Sequence, residues 1–216
     1  MMNRNDIKLS IAQHLYNWDV RWFTNINCSH HAQRPILLNS IMWFFSTVGD
    51  AVIASLLGVL LLYCCDPLCG PKLQDAFPII SFIGIACILG LIVTHILKNA
   101  VGRWRPLKRL HQSIVSGELI IHTQIKKLRY RSFPSGHTQN AFTLFVVSWL
   151  LYHNILLSSG VIVFAIIVGY SRIYVGAHFP LDVIAGSIIG IACGFIALRV
   201  WELFIFSPGI FQWLIG

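Results

Sequence analysis

The chain alternates long uncharged stretches with short charged ones, and the lengths of the uncharged stretches decide what they are. Residues 76–97 contain no Lys, Arg, Asp or Glu. At about 1.5 Å per helical residue, such a run crosses the roughly 30 Å hydrocarbon core of a bilayer, so a transmembrane helix ending at Lys98 is predicted. Residues 132–171 are likewise uncharged, and Tyr152-His153-Asn154 with Ser158-Ser159-Gly160 marks a turn in their middle. This gives two spans, 136–153 and 159–175. A further span covers 181–206, where Gly186, Gly190 and Gly194 recur four apart on one face, a spacing that lets membrane helices approach closely.

The pattern upstream is more mixed. Residues 35–65 carry one charge, Asp50, next to Gly49; they read as one long span or as a half-buried helix followed by a span. Asn39, Ser40, Ser46 and Thr47 give this stretch a polar stripe. Earlier still, Ile7, Ile11, Leu15, Trp18 and Trp22 recur at helical spacing beside Arg4, Lys8 and Arg21, which predicts an amphipathic helix lying in the membrane interface within residues 1–35. The expected fold is all-α: one membrane-embedded domain over 1–216, a polytopic bundle of five to six transmembrane helices with an interfacial amino-terminal helix and no internal repeat. Counting alternate crossings places Lys98, the 99–135 loop and the 172–181 turn on the same membrane face.

Composition agrees and adds a localised charge. Apolar residues make up 56% of the chain and charged residues 11%, against about 25% charged in soluble domains; a soluble globular protein is excluded. The net charge is +8, and the segment from Lys98 to Arg131, with nine basic residues and one acid, Glu118, carries all of it. A hydrophobic protein with one basic loop points to anionic lipid headgroups or an anionic substrate. Nucleic acid is not the expected partner, because no polar basic domain is present. The six cysteines form no disulfide framework: Cys87 and Cys193 sit in apolar runs, and Cys64, Cys65 and Cys69 cluster with only Asp66 at ligand-like spacing. The first thirty residues lack a continuous apolar run, so insertion is expected to rely on internal spans rather than a cleavable signal peptide.

Three polar clusters fall on the shared face. The first, Lys98 to Pro106, closes a span and contains Arg103, Trp104 and Arg105; alone it reads as a belt of snorkelling cations with an interfacial Trp. The second, Phe133-Pro134-Ser135-Gly136-His137-Thr138, opens a span. Ser135 is a candidate N-cap, and the backbone N–H groups of Gly136 and His137 would point out of the helix start as an anion site, with His137 a capping residue or a proton donor. The third runs from Ser171 and Arg172 through His178 to Asp182. An Asp four residues after a His can accept from Nδ1, fix the tautomer and leave Nε2 to attack, or it can simply cap its helix.

Joined, the clusters supply what phosphoryl transfer needs. Lys98, Arg105 and Arg172 offer charge and forked donors to the phosphate oxygens, and amides at Ser135 and Gly136 add hydrogen bonds. His178 is the candidate nucleophile, His137 the acid on the leaving oxygen and Asp182 the orienting carboxylate. Asp182 is the one acid in these clusters, so no carboxylate group exists to hold a metal, and metal-independent catalysis without a cofactor is predicted.

These residues resemble the type 2 phosphatidic acid phosphatases, which share a helical core with vanadium haloperoxidases. The family signature K-x6-RP, PSGH and SR-x5-H-x3-D is matched by Lys98, Arg105 and Pro106; by Pro134, Ser135, Gly136 and His137; and by Ser171, Arg172, His178 and Asp182, all in order. Arg103 and Trp104 are not specified by it. The resemblance covers a catalytic core of about 76–200, with 99–135 as the basic substrate-side loop, and extends to Trp18–Asp50, which resembles the entry region of small bacterial members. It implies a covalent phosphohistidine on His178, His137 as acid and then base for water, and a membrane lipid phosphate as substrate: undecaprenyl diphosphate first, phosphatidylglycerophosphate or phosphatidate next. It also implies a bacterial inner-membrane protein with its site facing the periplasm or exterior, whereas the seven remaining basic residues of the loop would by the positive-inside rule place it in the cytoplasm. Two other readings stand beside it: a phosphotransferase passing the phosphoryl group to another lipid such as lipid A, and a non-enzymatic transporter or scaffold that binds anionic lipid.

Overall fold

The computed structural model describes residues 4–28, 34–50, 53, 56, 58, 73–123 and 130–204. Every regular element among them is helical: α1 (Arg4–Asn27), α2 (Ile36–Val48), α3 (Leu73–Val101), the short α4 (Pro106–Arg109) and α5 (His111–Val115), α6 (Gly136–Tyr152), α7 (Ile155–Tyr174) and α8 (Pro180–Phe204). Among the described residues, three helices are long and apolar enough to cross a membrane, those in which Ile80, Ile155 and Pro180 begin the apolar stretch, namely α3, α7 and α8. α6 is uncharged but has 17 residues. The span expected over 35–65 is represented by α2, which stops before Gly49; most of 51–65 lies outside the described residues, as does the Cys64, Cys65 and Cys69 cluster.

One boundary differs from the sequence pattern. α7 begins at Ile155, not at 159, because the Asn154 side chain accepts from the N–H groups of Leu156 and Leu157 and caps the helix there. His153, in the left-handed region at φ 49°, makes the turn. Ser158 therefore sits inside the helix and is buried.

α6 is the central element, packed between α3, α7 and α8. Phe82, Ile83 and Ala86 of α3, Leu144 and Val147 of α6 and Ala197 of α8 form one core cluster. The glycine face of α8 lies directly on α6: a Cβ on Gly186 would stand 2.5 Å from the Ser135 carbonyl oxygen, and one on Gly190 would collide with the Gln139 carbonyl. Two polar side chains at the α6–α8 contact answer each other. Gln139 Nε2 donates to Thr143 Oγ1 at 3.0 Å, and that hydroxyl also lies 3.0 Å from the Gly190 carbonyl. In hydrocarbon an unanswered polar side chain is costly, so such pairs fix the register of α6 against α8.

α1 forms as the spacing predicts, and it uses its two faces differently. Ile11, Leu15, Trp18 and Trp22 are exposed, whereas Asp19, Phe23 and Asn27, four apart, are fully buried against the rest of the protein. The apolar stripe thus points away from the fold, where an interface-lying helix meets the bilayer, and a narrow, partly polar stripe makes the protein contacts. The polar stripe expected on α2 also divides. Ser46 is buried and Asn39 accepts from the Tyr174 hydroxyl at 3.0 Å, while Ser40 and Thr47 are exposed and donate to carbonyls of their own helix.

Close α6–α8 packing predicts an asymmetry between glycines. Gly190→Ala is expected to cost about 1–3 kcal/mol through overpacking. Gly84→Ala on α3, with open space at its Cβ position, is expected to be neutral or slightly stabilising. Thermal unfolding of the two variants in detergent checks this, and equal melting temperatures would contradict the packing described.

Candidate active site

The turn between α7 and α8 is built by one carbonyl. The Arg172 oxygen accepts from both Ala177 and His178 N–H, at 3.0 and 3.2 Å, which curls residues 173–178 back under the end of α7. Gly176, at φ 74°, supplies the left-handed residue this requires. His178 is thereby 2% exposed. α8 then starts at Pro180, whose missing N–H is no loss in a first turn, and Asp182 lies in that turn.

Asp182 is fully buried and answered on both oxygens. Oδ2 accepts from Phe179 N–H at 3.0 Å and from the Ser132 hydroxyl, and lies 3.6 Å from His178 Nδ1; Oδ1 accepts from Arg103 Nη1 at 2.6 Å. Ser132 Oγ is itself 3.5 Å from His178 Nδ1. The two readings of Asp182, helix cap and partner of His178, are therefore both realised by one carboxylate.

Three cations surround this pair. Lys98 ends α3 with Nζ 3.6 Å from where a Cβ on Gly136 would stand. Arg105, buried, donates from Nη1 to the Ala177 carbonyl at 3.0 Å and from Nε to the Tyr130 carbonyl at 3.2 Å. Arg172, 4% exposed, donates from Nη1 to the Ser46 hydroxyl and carbonyl, and its Nε has no hydrogen-bond partner among the described residues. Lys98 lies within charge range of Arg105, Arg172 and Asp182.

The start of α6 faces the same spot, with one correction to expectation. Ser135 is the N-cap residue but makes no side-chain cap: its hydroxyl pairs with Thr138 Oγ1 at 2.9 Å. Its N–H donates to the Asp182 carbonyl at 2.9 Å, so the Ser135 amide is committed to the fold and is no donor to a ligand. The amides from Gly136 onward remain at the helix start, where first-turn N–H groups lack intrahelical acceptors. His137, in the first turn, has Nε2 3.8 Å from Asp50 Oδ2. All eight residues singled out in the sequence thus converge at one end of α6.

Five further residues take part that the sequence did not point to. Arg103 joins Asp182 to Asp19 of α1; Ser132 holds Asp182; Ser46 holds Arg172; Asp50 faces His137. Burial holds the Asp19 carboxyl above the usual carboxylate range against the opposing pull of Arg103 and the Leu181 N–H. Asp50 was visible as the lone charge of its stretch, Arg103 as a cation within the first cluster and Ser46 as part of the polar stripe. Asp19 and Ser132 are single polar residues with no spacing signal. Among the described residues no three His, Cys, Asp or Glu side chains are arranged so as to hold a metal ion.

Residues 80–205 match the PAP2 superfamily model. The chain is 29% identical over 57% of its length to the undecaprenyl-diphosphatase BcrC of Bacillus subtilis, and that match spans 58% of the relative. It is 30% identical over 90% of its length to an undecaprenyl-diphosphatase of Sulfolobus acidocaldarius, spanning 84% of that protein. Its fold is similar to the crystal structure of Aquifex aeolicus LpxE, with a TM-score of 0.64, 28% identity, and coverage of 84% of this chain and 95% of the other.

The burial of His178 has a measurable consequence. Desolvation pushes its imidazole down to about 4, against the opposing attraction of the Asp182 carboxylate 3.6 Å away. Folded His178 stays neutral down to that pH, whereas in the unfolded chain it takes up a proton below its ordinary 6.5. The unfolded state therefore binds more protons between these values, and stability falls as pH drops through that window. His178→Asn is expected to flatten the dependence of melting temperature on pH there; an unchanged slope would show that His178 is not desolvated.

Proposed function

The chain belongs to the PAP2 superfamily, and from that premise we propose that it is an integral-membrane phosphatase removing the terminal phosphate of a membrane lipid through a phosphohistidine on His178. The observation that carries this is the convergence of the His178–Asp182 pair with Lys98, Arg105, Arg172 and the start of α6. A buried imidazole facing three cations suits an anion carrying two negative charges. A site at the end of the helices suits a lipid whose tails stay in the bilayer.

In the proposed first step, Asp182 and Ser132 hold Nδ1 of His178 in its protonated form, and Nε2 attacks phosphorus. The N–P bond forms as the P–O bond to the lipid breaks. Charge on the equatorial oxygens is met by Arg105, Arg172, Lys98 and the Gly136 amide, donors that are in place before the charge develops. His137, as the acid, gives a proton to the departing lipid oxygen. In the second step His137 takes a proton from water, the water oxygen bonds to phosphorus, and inorganic phosphate leaves as the N–P bond breaks.

Metal independence belongs to the same proposal, because cations of the protein itself fill the role a metal would have. Undecaprenyl diphosphate is the first candidate substrate, supported by the names of the two relatives above, followed by phosphatidylglycerophosphate and phosphatidate. We place the site on the periplasmic or exterior face of a bacterial inner membrane. That placement is tested by a single cysteine at Ser113 in a cysteine-free variant: it should react with a membrane-impermeant maleimide in intact cells, and labelling only after permeabilisation would put the site in the cytoplasm.

Activity is tested by phosphate release from purified protein across these lipids with a chelator present. Wild-type protein is expected to turn over at least one of them, and His178→Ala to lose on the order of 10⁴-fold in kcat, as for a nucleophile. Equal activity in the variant would overturn the role of His178; loss with chelator would overturn metal independence; release only when a second lipid is added as acceptor would indicate a phosphotransferase.

A further inference from the structure

We propose that Asp19, acting through Arg103, is a positioning residue for the Asp182–His178 pair, which makes the amino-terminal helix a working part of the site. The inference rests on the reading of His178 and Asp182 given above.

Arg103 lies between two fully buried carboxylates. Its Nη1 meets Asp182 Oδ1 at 2.6 Å and its Nη2 meets Asp19 Oδ2. A guanidinium is a rigid planar fork, so fastening one nitrogen to Asp19 sets the plane in which the other meets Asp182. Asp19 also reaches Asp182 by a second route: its Oδ1 accepts the N–H of Leu181, the residue before Asp182, at 2.8 Å. A third contact runs through the Arg103 carbonyl, which accepts Ser132 N–H at 2.8 Å and so places the hydroxyl that donates to Asp182. Phe23, one turn after Asp19, packs on Phe179 with ring centroids 5.2 Å apart, and the Arg103 guanidinium lies 4.6 Å above that same ring.

Packing α1 on the protein does not require any of this charge. An apolar residue at position 19 beside Phe23 would bury as well, and burying an ion pair commonly gives no net stability relative to apolar side chains of similar size. What the carboxylate adds is direction. It fixes a guanidinium whose other end aligns Asp182, and Asp182 fixes the His178 ring whose Nε2 must reach phosphorus in line. Outer partners of this kind typically change rates by about 10–100-fold without touching substrate.

The test uses the full chain in detergent with undecaprenyl diphosphate and phosphatidylglycerophosphate, comparing Asp19→Asn, Arg103→Lys, Asp182→Asn and the double variant Asp19→Asn/Asp182→Asn. Asp19→Asn and Arg103→Lys are each expected to lower kcat by about 10–100-fold with KM little changed. Because Asp19 acts through Asp182, its substitution should cost nothing further once Asp182 is gone. A wild-type kcat in Asp19→Asn, or an effect that persists in full in the double variant, would overturn the proposal in favour of a purely structural staple. Should Asp19→Asn fail to fold, Arg103→Lys, which keeps the cation but loses the fork, carries the same measurement. A turnover-independent arm measures the affinity of each variant for orthovanadate, whose five-coordinate geometry mimics transferring phosphoryl. Weakening by a similar factor in Asp19→Asn supports the proposal; unchanged affinity overturns it. If wild type releases phosphate from neither lipid but binds vanadate, the lipid reading fails alone and the vanadate series still decides the role of Asp19. Wild-type protein that does neither overturns both.

Discussion

The Asp182 carboxylate lies out of reach of water, and an unpaired charge in such a place costs many kcal/mol. The structure answers it with four groups from three segments: the guanidinium of Arg103, the hydroxyl of Ser132, and the N–H of Phe179 with the imidazole of His178. Satisfying this one group therefore brings the loop after α3, the strip before α6 and the α7–α8 turn together. Arg103 then needs a second carboxylate to be properly shared, and Asp19 brings α1 into the same assembly. The amino-terminal helix is thus tied to the centre by electrostatics on its inner face while its aromatic outer face is left for the bilayer.

Helix packing supplies the other half of the arrangement. Because Gly186 lets α8 meet the Ser135 carbonyl at close range, the Ser135 N–H can reach the Asp182 carbonyl, and the starts of α6 and α8 sit side by side. Two helix beginnings at one point concentrate positive dipole ends there. The manner in which the arginines are held follows a division of labour. Arg105 and Arg172 are steadied by neutral oxygens, the carbonyls of Ala177 and Tyr130 and the hydroxyl and carbonyl of Ser46, which orient a guanidinium without cancelling its charge. Arg103 alone of the three is paired with carboxylates. A cation kept for an anionic ligand has to be fixed without being neutralised, whereas one that positions a carboxylate shares its charge with that carboxylate.

The sequence made the helices legible where length and absence of charge sufficed, as for α3, α6, α7 and α8, and it placed the three polar clusters on one face by counting crossings alone. It misplaced the start of α7, because two candidate turns lay within six residues and only the Asn154 cap distinguishes them. It could not show that the Ser135 amide is already engaged, since the acceptor is a backbone carbonyl, which carries no side-chain signature. The partners of Asp19, Ser46 and Ser132 were hidden for a related reason: each lies more than forty residues away along the chain, and periodicity reports faces rather than partners. The apolar stripe of α1 is exposed, as its spacing predicts, and it drew notice away from the buried Asp19 beside it.

The described cations between Lys98 and Arg131 divide by what each one touches. Arg103 belongs to the carboxylates. Lys108 lies 4.9 Å over the Trp104 ring and Arg109 5.0 Å over Tyr16 of α1, and Trp104 itself packs on Tyr130 with centroids 4.9 Å apart. These are contacts of an interfacial belt, in which cations rest on amphipathic rings at headgroup level. Arg131 sits at φ 58° between Tyr130, whose carbonyl holds Arg105, and Ser132, which holds Asp182, and is within charge range of Lys98. A total of +8 therefore overstates the charge available to a bound phosphate. The proposed phosphate pocket rests on Lys98, Arg105 and Arg172, two from the segment and one from a later turn, while Arg103 serves the carboxylates and Lys108 and Arg109 rest on aromatic rings.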